Sequence, residues 1–187
     1  MKTQMSRFQI HDDLSAPEES VALLRSAMSG AGQLPNFLGV LAGSPSALRA
    51  YTRFRGELRH GTLPRPTLER ISLAIADHYG SAPGIALHSR TARQEKLGLD
   101  EVTMARSWSS QDPKEQALLT LLGKLVVEHH GPPAHFVEEA REAGWTDEQL
   151  LEAIAFVALE SFTAMVNVAG DVPIDGSVEE SRTLRAA

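Results

Sequence analysis

No cysteine occurs anywhere in the 187 residues. Disulfides, thiolate metal sites and thiol redox catalysis are therefore excluded outright. Basic charge is also short: 18 Lys and Arg stand against 24 Asp and Glu, for a net charge of −6. Without a basic stripe, the chain lacks the electrostatic footprint of a nucleic-acid binder, and anionic membrane surfaces are poor partners for the same reason. The longest apolar runs, near Ala153 to Leu159, are interrupted far short of a membrane span. The opening MKTQMSRFQIHDDL has no apolar core of signal-peptide length. The expectation is a cytoplasmic protein with no membrane or nucleic-acid partner.

Strand signals are scarce too, while helical signals recur from end to end. With 42% hydrophobic and 22% charged residues, the chain has the composition of one globular domain able to bury a core. Residues 1–14 are polar and read as a flexible segment, 15–175 as a helical domain, and 176–187 as a flexible tail. Ser15 followed by Pro17, Glu18 and Glu19 predicts an N-cap with acidic residues in the first helical turn. A short apolar piece covers Asn36 to Ala42, and a longer helix carries Leu48, Tyr51, Phe54 and Leu58 at three- and four-residue spacing. The ISLAIA run, Ile71 to Ala76, has the composition of a buried strand or a buried helix. Its alanines, its length and the start at Pro66 or Thr67 decide for helix. A break at Tyr79-Gly80 precedes a further helix from about Ala82 to Leu97.

Two junctions share a pattern: Leu97-Gly98-Leu99-Asp100 and Ala143-Gly144-Trp145-Thr146. In each, the glycine is expected to end one helix in the left-handed conformation, and Asp100 or Thr146 to cap the next. Pro113 to His130 forms another helix, stopped by the following Gly-Pro-Pro, and a short helix spans about Pro133 to Ala143. A long one runs from Asp147 towards Ala169. Apolar on most faces, it is expected at the centre of an all-α bundle.

Glu69, Ser81, Gly84 and His88 are the candidates for chemistry. If Ser81 caps a helix, offsets of three and seven residues place Gly84 and His88 on its face. Gly84, having no side chain, would leave room beside the serine and histidine. Glu69, from the preceding helix, could reach His88, raise its pKa and fix its tautomer, making an acid–base group. Each residue also has a plain structural role: Ser81 as cap, Glu69 as dipole partner, Gly84 as a close-packing position, His88 as a satisfied interior histidine. Singly those roles win; jointly the spacing favours a site. His78, just before the turn, is expected to line the same cavity.

With these residues in place, the chain from Pro35 to about Asp175 resembles the carboxymuconolactone decarboxylase and alkylhydroperoxidase D-like superfamily. That family's pattern is a glutamate, a Cys-x-x-Cys twelve residues on, and a histidine seven residues after the first cysteine. Glu69 and His88 match the glutamate and histidine, while Ser81 and Gly84 occupy the cysteine positions. The Ser44-Pro45 start, the Gly98 and Gly144 junctions, and Asn167 and Asp175 in the last segment also match.

The resemblance implies an alkylhydroperoxidase D-like helical bundle that assembles as a homo-oligomer, a trimer or hexamer. It does not imply a dithiol peroxidase, because a serine hydroxyl cannot form the sulfenic acid and Gly84 cannot resolve one. The decarboxylase branch needs no cysteine pair. It implies an acid–base enzyme on a small carboxylate or lactone, with His88, Glu69 and Ser81 as the catalytic set and no cofactor. No arginine pair is clearly placed for a dicarboxylated lactone, although Arg70 and Arg90 flank the site elements. Two alternatives stand beside it: a non-catalytic descendant kept for oligomerisation or ligand binding, and a Ser81–His88–Glu69 hydrolase. The latter lacks a strand–turn–helix nucleophile elbow. His129, His130 and His135 invite a metal reading, but adjacent histidines diverge on a helix and no acidic ligand has suitable spacing, so no metal is expected.

Overall fold

The computed structural model describes residues 6–31, 34–128 and 131–176. Its elements are helices, and no strand occurs among the described residues. In chain order they are α1 (Glu18–Ala31), α2 (Asn36–Leu41), α3 (Pro45–Leu58), α4 (Arg65–Tyr79), α5 (Ala82–Gln94), α6 (Leu99–Ala105), α7 (Pro113–Val127), α8 (Ala134–Glu142) and α9 (Asp147–Gly170). His129, His130 and residues 177–187 lie outside the described residues.

The described residues pack as two units, one made of those up to Gly56 together with those from Met165 onward, the other of those from Glu57 to Ala164. In the first, the Ser20 hydroxyl donates to the Ala42 carbonyl at 2.8 Å. Asp175 accepts from the Asn36 backbone N–H at 2.8 Å. Residues 6–11 are tied by Arg7 N–H to the Gly170 carbonyl and by His11 N–H to the Gly39 carbonyl. Ser15 is not a helix cap. It closes a turn with Asp12, whose carboxylate accepts from the Ser15 hydroxyl at 2.7 Å and the Ser15 N–H at 2.8 Å. α1 therefore starts later, at Glu18. A serine this close to an aspartate finds a local acceptor and closes its own turn before the helix begins.

The second unit is organised by α4. Pro64 precedes it and Pro66 occupies its first turn, where a missing N–H costs no helical bond. Every residue from Arg70 to Ala76 is buried, so the ISLAIA run is enclosed on all faces. Ile71 and Ile75, one turn apart, enter a core with Leu118, Leu122, Trp145, Leu150 and Val157. Leu73, on the opposite face, joins a second core of Ala92, Leu97, Val102 and Ala105. The small Ser72, Ala74 and Ala76 let neighbours approach between the larger side chains.

The long α9 was expected to hold this central place, yet it is only partly enclosed. Ala153, Val157 and Leu159 are buried, whereas Leu151 is 68% and Ile154 41% exposed. α9 is long and apolar enough on length and composition to reach across a bilayer, with 39% of that window buried inside the protein.

The two junctions also separate. Gly144 takes the left-handed conformation at φ 96°. Thr146 then caps α9, trading hydrogen bonds with Gln149 in both directions at 3.2 Å. At the other junction the left-handed residue is Lys96 at φ 68°. Gly98 is instead the extended N-cap of α6, and Asp100 lies within the helix. Leu97 packs back into the core once Lys96 has made the turn. A glycine two positions later is then free to begin the next helix.

Candidate functional site

α4 ends at Gly80, in the left-handed conformation at φ 70°, where the missing Cβ removes the steric cost. The turn lets α5 fold back along α4. Ser81 caps α5, accepting from the Gly84 N–H at 3.3 Å, and is 1% exposed. One turn inside, a Cβ placed on Gly84 would lie 3.0 Å from both the Ala76 Cβ and the Ser81 Oγ. The room expected beside Gly84 is therefore already filled. Glycine is there because α4 and α5 touch, and a pocket wall is not what it provides.

Farther along the same seam the helices exchange polar groups. Glu69 and Leu73 share a face of α4, being four residues apart, and His88, Thr91 and Ala92 share the facing stripe of α5. His88 Nδ1 lies 3.0 Å from Glu69 Oε2. The Thr91 hydroxyl donates to the same oxygen at 2.5 Å. His88 Nε2 meets a second carboxylate, Glu160 Oε2 of α9, at 3.4 Å. The side chains of His88, Glu69 and Glu160 are 14, 18 and 12% exposed.

Burial alone would push His88 towards neutrality. The carboxylates of Glu160 and Glu69 outweigh it and raise the imidazole from 6.5 to about 9. The ring is thus an imidazolium at neutral pH, with an N–H directed to a carboxylate at each end.

Structure and sequence agree on Glu69 with His88 and on Ser81 as a helix cap. They disagree on His78, which is exposed at the end of α4 and stacks edge-on with Tyr79 at 5.0 Å. Nine residues beyond Glu69, it points to the opposite side of α4 at the helical repeat of 3.6 residues. It does not line the site. Arg70 is no surface residue either: its guanidinium is buried against Glu101 at 2.7 Å and Glu115 at 3.6 Å. Glu101 also accepts from the Ser110 hydroxyl and the Gln111 N–H. Despite the cost of burial, these donors hold Glu101 below the usual glutamate range. Glu115 accepts from Thr67 at 2.6 Å, but burial dominates there and pushes its carboxyl up. Arg90 is exposed.

Glu160 is the residue that sequence reasoning missed. It sits in the middle of an apolar helix, and that is the one available signal: a carboxylate among Val157, Leu159 and Phe162 is costly unless it has a partner. Among the described residues, no group of three His, Asp or Glu is arranged to hold a metal ion.

By sequence, no protein-family model and no curated protein matches the chain. By structure, the matches are consistent with one another. An alkylhydroperoxidase AhpD core from Ralstonia eutropha, a peroxidase-related protein, superposes with a TM-score of 0.81 at 19% identity, over 92% of this chain and 93% of that one. A peroxidase-related protein from Silicibacter gives 0.78 at 16% identity, over 96% and 95%. A debrominase in complex with 2,3,4-tribromopyrrole gives 0.70 at 19% identity, over 100% and 98%.

The chain therefore has the alkylhydroperoxidase D-like fold, in a form without cysteine.

Proposed function

We propose that this chain is a thiol-independent acid–base enzyme acting on a small carboxylate or lactone, with His88 as its proton-donating centre. The observation that carries the reading is the His88 imidazole held between the carboxylates of Glu69 and Glu160, which favour its protonated form. A cation of this kind can stabilise an enolate as it develops and deliver a proton to it. Glu69 serves as the fixed orienting partner, anchored by Thr91. The debrominase neighbour, bound to a tribromopyrrole, supports a small-molecule ligand on this fold. Chemistry that runs through a protein thiol is closed to a chain with no cysteine.

The hydrolase alternative is disfavoured. A triad needs one imidazole nitrogen free to take the serine proton, whereas both nitrogens of His88 face carboxylates and the Ser81 hydroxyl is buried as a cap. A structural descendant without catalysis is the second reading, and the filled space at Gly84 favours it. Homo-oligomerisation is part of both readings; the exposed Leu151 and Ile154 on α9 support burial against another copy.

The two readings separate in one experiment. A panel of small β-oxo acids and five-membered lactones is incubated with the protein in D2O and followed by proton NMR. CO2 loss or carbon-bound deuterium is expected with the native chain, falling by roughly 100-fold or more in a folded His88→Gln variant. Equal rates in native and variant protein would leave the structural descendant as the answer.

A further inference from the structure

We infer that the shallow pocket beside Trp108 binds an uncharged planar aromatic molecule carrying a hydrogen-bond acceptor on its ring. The pocket is built from the loop after α6 and the last turns of α7, and it shares no residue with the His88 cluster. The inference therefore stands apart from the proposed acid–base chemistry.

Trp108 is held where its backbone is costly. Its N–H bonds to the Ala105 carbonyl and the Ser109 N–H to the Met104 carbonyl, so Trp108 closes α6 in the position that glycine usually takes. Its φ of 57° is left-handed, an outlier for a bulky side chain. A glycine would make the same turn without the strain, so the turn does not call for an indole. Among Lys96, Trp108 and Asp171, the side chains at positive φ, it is the bulky apolar one. Strain of this kind concentrates where a side chain is held in place for use, ligand clamps among them.

The neighbouring helix is shaped to receive the ring. A Cβ on Gly123 would lie 3.0 Å from the indole Cγ and 3.2 Å from Cδ2, so the ring rests on bare α7 backbone. Trp108 packs against the core of the second unit. With Gly123 and Val127 it also walls a pocket of about 280 Å³, which Thr120, Lys124 and Glu128 complete. That volume is at the small end of ligand sites and suits a single or fused pair of rings.

The polar groups there decide the chemistry of the ligand. Lys124 and Glu128 are paired with each other at 2.6 Å, which cancels their charge. The Thr120 hydroxyl donates to the Gln116 carbonyl at 2.8 Å and accepts from the Gln116 amide at 2.9 Å. The indole N–H of Trp145 donates to the Lys114 carbonyl at 2.8 Å. Trp108, by contrast, has no side-chain hydrogen bond among the described residues. The pocket thus offers an aromatic face, an apolar rim at the half-exposed Val127 and one uncommitted donor. A flat ring stacks on the indole, and its acceptor takes the N–H.

Two tryptophans make the test specific. Their indole N–H signals are separate reporters in nitrogen-15 NMR, assigned with Trp108→Phe. Quinoline is uncharged at neutral pH and has a ring-nitrogen acceptor. It should move the Trp108 signal to saturation and leave that of Trp145, which is 3% exposed, in place. Quinoline-6-carboxylate and N-methylquinolinium, the same ring with either charge, should bind more weakly. Cyclohexanone, an acceptor without an aromatic face, should leave the signal in place. Val127→Lys, at a position 53% exposed, keeps the fold, as an unmoved Trp145 signal will show. It should weaken quinoline binding at least about tenfold. A Trp108 signal that does not saturate, equal movement of both indoles, or unchanged affinity in Val127→Lys would overturn the site. Tighter binding of either ion overturns the choice of a neutral ligand, and cyclohexanone binding as tightly as quinoline overturns the choice of an aromatic one.

Discussion

Raising the pH across the His88 titration should cost this fold stability that a variant without the histidine does not lose. The ring stands at about 9 in the folded protein against 6.5 for an unperturbed histidine. The folded state therefore binds more protons than the unfolded state between those values, and stability falls as pH rises. The contribution is fully present below pH 6.5 and is gone once the pH has passed through about 9. About two and a half pH units, at ~1.4 kcal/mol each, amount to roughly 3.5 kcal/mol in full, of which about 3 kcal/mol falls between pH 6.5 and pH 9.5. Urea unfolding of native protein and His88→Gln is compared at pH 6.5 and pH 9.5. Subtracting the variant removes the lysines and tyrosines that titrate in both. The native chain should lose about 3 kcal/mol more than the variant over that interval. Parallel pH dependence in the two proteins would refute the reasoning, because it would mean that the carboxylates do not hold the proton on His88.

Three other predictions concern structure. Arg70→Met should lower unfolding free energy by about 3–5 kcal/mol at pH 7, since Glu101 and Glu115 would be left buried without their cation; urea unfolding measures it. Ser81→Ala should cost only about 1 kcal/mol, the worth of an N-cap, and should leave turnover in the lactone panel intact. Loss of turnover there would restore Ser81 as a nucleophile. Leu151→Glu should shift the protein to smaller species on size-exclusion chromatography with its circular dichroism unchanged; identical elution would remove this face of α9 from any subunit interface.

How much of this could be read from the residues depended on the range of the interaction. The pairing of Glu69 with His88 was legible because a short turn between consecutive helices fixes which faces meet. The Ser81 cap was legible for the same local reason. Glu160 was not, because its place beside His88 depends on how a distant helix packs, and no spacing rule encodes that. His78 lies off the site because closeness along the chain is not closeness in space: about two and a half turns from Glu69 put it on the far side of α4. The number of apolar residues does not decide which helix is enclosed. α9 has more of them, but its Leu151 and Ile154 face outward, whereas the small residues of α4 let it be enclosed. The left-handed turn at Lys96 defeats residue preference altogether, since a glycine stands two positions away and goes unused for that purpose.

One protonation state decides the proposed chemistry, and the imidazole of His88 reports it directly. In protein with labelled histidines, a pH titration followed by nitrogen-15 NMR should show both His88 nitrogens protonated at pH 7, with a midpoint near 9. Glu69→Gln and Glu160→Gln should each bring that midpoint down. A midpoint at or below 6.5 in the native protein, with one nitrogen bare at pH 7, would contradict the proton-donating centre on which the proposed chemistry rests.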